Sequence, residues 1–190
     1  MRLIVSRLLT FSVLACLALV VAAQQLPVPP VKSGLWETRM SALDAQGHEI
    51  APPEQAALSN LPPEARARMA DAMKARGLSM PDASGANKAC FTKETFESGR
   101  WQEMGSEAGC TTNYSTQSGT IWKWHSSCTS LKSESDGEVT FNSPESYRVK
   151  VTTTASVMGK PNTSTRIVQA KWLAADCGDI KPFTPPGARK

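Results

Sequence analysis

Histidine is scarce in this 190-residue chain, with His48 and His125 the two present, and no two cysteines stand in a C-x-x-C pair. A zinc site needs four thiolate or imidazole ligands at close spacings, so neither a metal centre nor a thioredoxin-type redox site has the residues it requires. A glycine-rich phosphate loop is missing, which removes the nucleotide-binding classes that cradle phosphate on backbone amides. No internal repeat points to a solenoid. A large excess of charge of one sign is missing too: 21 Lys and Arg against 17 Asp and Glu give +4. That excess is small and evenly scattered, which argues against a nucleic-acid partner. Beyond the first two dozen residues no apolar run approaches the ~20 residues that a membrane-spanning helix needs.

What is present begins with a leader. "MRLIVSR" carries Arg2 and Arg7, and "LLTFSVLACLALVVAA" is an apolar run closing on small residues, the three-part pattern of a secretory signal peptide. Cleavage is expected after Ala23, since Val21 and Ala23 are small and the following "QQLPVPP" is polar and proline-rich. Lipoprotein processing at Cys16 is the rival, but it would leave apolar "LALVVAA" where a polar tether is needed. An uncleaved anchor would be short for a bilayer. Removing the leader takes the formal charge to +2 and leaves about 167 residues, enough for one domain with a core of its own.

With Cys16 gone, Cys90, Cys110, Cys128 and Cys177 remain, an even number in an oxidising compartment, where two disulfides are expected. "CTTNYST" and "TIWKWHSSC" read as antiparallel strands about a turn at Gln117-Ser118-Gly119-Thr120. That register sets Cys110 opposite Cys128, Tyr114 opposite Trp124 and Thr116 opposite Trp122, all on one face. Lys123, His125 and Ser127 take the other. By elimination Cys90 pairs with Cys177; the pairings depend on the turn lying where it is placed. On the chain-entropy account the short bridge stabilises by roughly 3 kcal/mol and the long one by roughly 4 to 5.

Further strands are expected at 138–141 after a turn "SESDG", at 146–156 after "NSP" and at 164–174 after "MGKPN", with a first strand at 33–43. Alternation puts Tyr147, Val149 and Val151 on one face, and Val168, Ala170 and Trp172 on one face of the last strand. Antiparallel sheets of this kind bury one face and wet the other. The clearest helix is "LPPEARARMADAMKARG": Pro62 and Pro63 suit its first turn, Glu64 its positive end, Lys74 and Arg76 its negative end, and Gly77 its stop. Ala65, Met69, Ala72 and Met73 form its apolar stripe, laid on the sheet. "TKETFESG" adds a short helix. The expected fold is therefore α+β, an antiparallel meander with one main helix packed on it and two disulfides. The single globular domain runs from 33 to 178, between flexible segments at 24–32 and 179–190.

The order "GLWE", "LPPEARARMADAMKARG", "KACFTKE", two mid-chain strand cysteines and a closing "KWLAADCG" resembles the bacterial domain of unknown function family 3617, over about Ser33 to Gly178. The resemblance implies small exported proteins of Gram-negative envelopes, compact and disulfide-bearing. It carries no established activity and no catalytic residues.

Chemistry must come from the chain itself. His125 beside Ser126 and Ser127 would be the enzyme candidate, yet adjacent strand residues diverge and no third group is in sight to orient the imidazole. Glu134 and Asp136 read as a solvated turn rather than a catalytic carboxylate pair. No catalytic residues, metal or cofactor are assigned. Trp36, Trp101, Trp122, Trp124 and Trp172 with Tyr114 are plentiful for the size. Of these, Trp36, Tyr114, Trp122, Trp124 and Trp172 are the candidate lining of a pocket for a small apolar or lipid-like ligand, with packing as the competing role. The alternative partner is an envelope protein, met through a sheet edge or through tails bearing Lys181, Arg189 and Lys190.

Overall fold

The computed structural model describes residues 27–99 and 109–184. The leader with Cys16 and the cleavage point, Trp101, Arg189 and Lys190 lie outside the described residues. Eleven elements follow in order: β1 (Gly34–Leu43), β2 (Glu49–Ile50), α1 (Pro53–Ser59), α2 (Pro63–Ala75), β3 (Ala86–Phe91), α3 (Lys93–Glu97), β4 (Cys110–Ser118), β5 (Ile121–Cys128), β6 (Ser133–Ser143), β7 (Ser146–Val157) and β8 (Lys160–Ala174). Strands β4 to β8 form the expected meander, and β1 pairs antiparallel with β8, bringing the two ends of the domain together. The free edge of β1 carries β3 along its first half and β2 at its end.

Both expected bridges are present, Cys110–Cys128 and Cys90–Cys177. The β4–β5 register holds at Cys110↔Cys128 and Tyr114↔Trp124 but fails nearer the turn, where Thr116 faces Lys123 and Gln117 faces Trp122. A two-residue turn closes the hairpin between Ser118 and Ile121, one residue out of step with the far end, and the bulge at Ser115 absorbs the difference. Beyond the bulge the faces exchange: Gln117 turns inward and Thr116 to solvent.

Three further expectations need correction. "SESDG" is strand rather than turn, because Ser135 bonds Thr153 across the ladder at 2.8 Å and Gly137 is the floor under the Trp124 ring. Strand β8 starts at Lys160, four residues early, because Met158-Gly159 alone makes the turn, both at positive φ. Ile167, on the face of Arg148 and Lys150, is fully buried, so that face is not wholly wet.

The fold is mostly β, and α2 does not serve as one main helix sealed to the sheet. None of its residues is fully buried; Ala65, Met69 and Met73 are half-covered, while Ala72 is exposed. Its end is well made: the Gly77 N–H bonds Lys74 O at 3.1 Å and the Leu78 N–H bonds Met73 O at 3.0 Å, the paired closure that a left-handed glycine permits. Helix α1 was not foreseen. Arg66 of α2 donates to its Ser59 carbonyl at 2.7 Å, and Glu54 on it pairs with Arg166 of β8. The short helix expected after Cys90 is α3, capped by the Thr92 side chain accepting from the Thr95 N–H. Among the described residues no helix is long and apolar enough to cross a membrane.

Parts of the segments expected to be flexible make contacts with the domain. Lys32 donates its N–H to Pro144 O at 2.9 Å, and Val31 packs on the core. At the other end Phe183 is 8% exposed, its N–H bonded to Cys90 O at 2.7 Å, and the Thr184 N–H reaches Arg76 O. Burial of Phe183 and these two backbone hydrogen bonds hold the segment, and the Cys90–Cys177 bridge brings it beside β3.

Candidate functional site

The period of two places one aromatic row across a single face of the sheet. Trp36 of β1 stands opposite Trp172 of β8; Tyr147, Phe141, Trp122, Trp124 and Tyr114 continue it across β7, β6, β5 and β4. Trp36 is 0% exposed, 5.2 Å from Tyr147, and its indole N–H satisfies Lys32 O at 2.9 Å. Trp122 is 3% exposed and meets Phe141 edge-on at 5.1 Å. Tyr147 joins these two clusters, and burial pushes its hydroxyl up to about 12. Phe91, Phe96 and Phe183 close the Trp36 cluster from above.

Of the five residues proposed to line a pocket, the row therefore brings all to one face, and the fold itself covers Trp36 and Trp122. Trp172, Trp124 and Tyr114 keep some exposed surface. Trp172 donates to Ser33 O at 3.0 Å, with the Lys32 ammonium 4.7 Å from its ring centre. The two indoles thus clasp the 32–33 backbone. Trp124 rests on Gly137, with Tyr114 at 6.3 Å, and partial burial raises the Tyr114 hydroxyl.

The opposite face carries the charged pairs. His125 and Asp136 meet at 2.9 Å and Lys123 and Glu138 at 3.0 Å, side by side on β5 and β6. The Asp136 carboxylate raises the His125 imidazole above its ordinary value. Sequence reading missed this partner because Asp136 was assigned to a turn; once β6 is extended, direct opposition across the ladder produces it. Ser126 lies on the other face bonded to Thr112 at 2.9 Å, as alternation predicts. Glu49 accepts from Arg148, Ser41 and Gln169, which hold its carboxyl below the usual range. Among the described residues no three His, Cys, Asp or Glu are placed to hold a metal ion.

Two concavities on the described surface are open to solvent. One lies over the charged face beside Arg39, Arg148 and Gln169. The other lies at one end of the sheet, between the 129–132 turn and the β7–β8 turn, lined by Cys128, Lys132, Ser156 and Pro161 among others.

Compared with known proteins, residues 31–177 match the family described as "Protein of unknown function (DUF3617)". An "Uncharacterized protein in lpd-3 5'region" of Pseudomonas putida is 29% identical over 134 residues, 67% of this chain and 89% of that one. No solved structure matches the chain.

Proposed function

Since the chain belongs to the DUF3617 family of proteins of unknown function over residues 31–177, which brings no chemistry with it, we propose from its geometry an exported, noncatalytic binding domain of the bacterial envelope. It meets its partner at the surface. The observation that carries this reading is the commitment of the aromatic row to packing: Trp36 and Trp122 are sealed in the core, and Trp172 is engaged in clasping the N-terminal segment. Two disulfides support an oxidising compartment, the periplasm.

A small apolar ligand is the second reading, favoured by the partly exposed Tyr114–Trp124 pair on Gly137. Native mass spectrometry of protein produced in the periplasm, compared with the same sample denatured without reductant, separates the two. The surface reading expects one mass, lower by four hydrogens than the reduced chain, in both spectra. A stoichiometric adduct released on denaturation would overturn it and identify the ligand class.

A further inference from the structure

Among the described residues, three of the eight exposed large apolar side chains, including the most exposed, lie at one end of the sheet. Leu131 is 53% exposed, Val157 53% and Met158 99%. The first sits in the 129–132 turn and the others at the β7–β8 tip, and the Ser156 N–H bonds Lys132 O, so the two turns stand side by side. Neither needs such residues for its own fold. Met158-Gly159 is a two-residue hairpin turn with φ of 51° and 77°, a geometry that favours asparagine at the first place. Lys132 has φ 46°, and among the described residues these are the two non-glycine positions with positive φ. Both strained positions therefore fall on the same end, beside the exposed apolar groups, the pattern of strain kept for function rather than stability.

The charge beside them has one sign in excess. Lys132 and Lys160 are exposed, and among the described residues neither is in an ion pair; Glu134 lines the same groove as Lys132, and Lys160 flanks the β7–β8 turn. Methionine, leucine and valine beside two lysines fit a surface that is apolar within and anionic at its rim. Such side chains enter the acyl boundary while the lysine stems lie along it and the ammonium groups reach the phosphates.

We infer that the end of the sheet formed by Leu131, Lys132, Val157, Met158 and Lys160 docks on an anionic phospholipid membrane. This deepens the surface-binding reading and rests on it. The Cys110–Cys128 bridge stiffens the platform, since Cys128 leads directly into the 129–132 turn.

The test is co-sedimentation of the purified protein with phosphatidylglycerol–phosphatidylethanolamine vesicles and with phosphatidylcholine vesicles. The wild type is expected on the anionic vesicles, less so as salt rises. Met158→Asn should weaken that binding about tenfold, and because asparagine tolerates positive φ it should melt no lower than wild type, so loss of fold cannot mimic the effect. Lys160→Gln should cost about fivefold on anionic vesicles. The inference is overturned if the wild type ignores the anionic vesicles, or if Met158→Asn sediments as the wild type does. In either case a bare native mass leaves the surface-binding reading standing with a protein partner, whereas a released adduct sinks that reading itself.

Discussion

Replacing Gly137 with alanine adds one methyl group to the inner face of β6, directly under Trp124. Built on the existing backbone, that Cβ would stand 2.0, 2.1 and 2.6 Å from three atoms of the indole ring. No rotation of a methyl relieves this, so either the ring lifts or the strands part. Overpacking of this kind costs about 1 to 3 kcal/mol. In a domain of this length each kcal/mol lowers the melting temperature by roughly 2 to 4 °C, so a fall of roughly 4 to 8 °C is expected for a mid-range loss. The same substitution without the ring should act in the opposite direction. Alanine in a strand loses less conformational entropy than glycine, by roughly 0.5 to 1 kcal/mol. In a Trp124→Ala background, therefore, Gly137→Ala should be neutral or mildly stabilising, and a double-mutant cycle followed by chemical denaturation should return a coupling above about 1 kcal/mol. Additive effects would refute the claim that the glycine is there to seat the ring. Reduced ellipticity or a changed denaturant slope in the single variants would instead mark a wider rearrangement, and is not expected.

Phe183→Ala should destabilise by roughly 3 to 5 kcal/mol, as for a buried aromatic; a urea midpoint unchanged from wild type would mean that the docked segment does not contribute through Phe183. Substituting the Cys90–Cys177 pair by alanines should cost roughly 4 to 5 kcal/mol, against roughly 3 for Cys110–Cys128, and the opposite order in urea melts would sink the loop-length argument. For His125 the raised folded pKa means that its contribution is present below the unfolded value near 6.5 and fades as pH rises through the folded midpoint. Proton NMR should place that midpoint above 6.5, and Asp136→Asn should bring it down; an unmoved midpoint would remove the carboxylate as the cause.

Strands with β-branched residues at period two were legible as far as their ladders run undisturbed, which is why β1, β5 and β7 fall close to their expected limits. What defeated the reading was local chemistry with two meanings. Ser, Asp and Gly in "SESDG" have turn preferences, but a hydroxyl can bond across a ladder to Thr153 and a glycine can lie in a strand beneath a large ring. Only the neighbouring strand decides between these roles, and that neighbour is distant in sequence. The same extension of β6 brings Asp136 to His125, so one misplaced strand end also hid the imidazole's partner. The bulge at Ser115 is a closure problem: a disulfide at one end and a two-residue turn at the other demand registers that differ by one, and no single stretch contains that conflict.

The tryptophans show why abundance does not reveal role. A sheet with one apolar face needs bulk to fill the space beneath its covering loops, and indole supplies it along with an N–H for a backbone carbonyl. Trp36 and Trp172 use theirs on Lys32 and Ser33, which is how a proline-rich segment becomes part of the fold. An aromatic selected for a ligand would keep a face uncovered, as Trp124 partly does. The residues most out of place physically are therefore not the tryptophans. A methionine 99% exposed at positive φ gains nothing from its own domain, and its side chain acquires a purpose only when something outside the chain covers it.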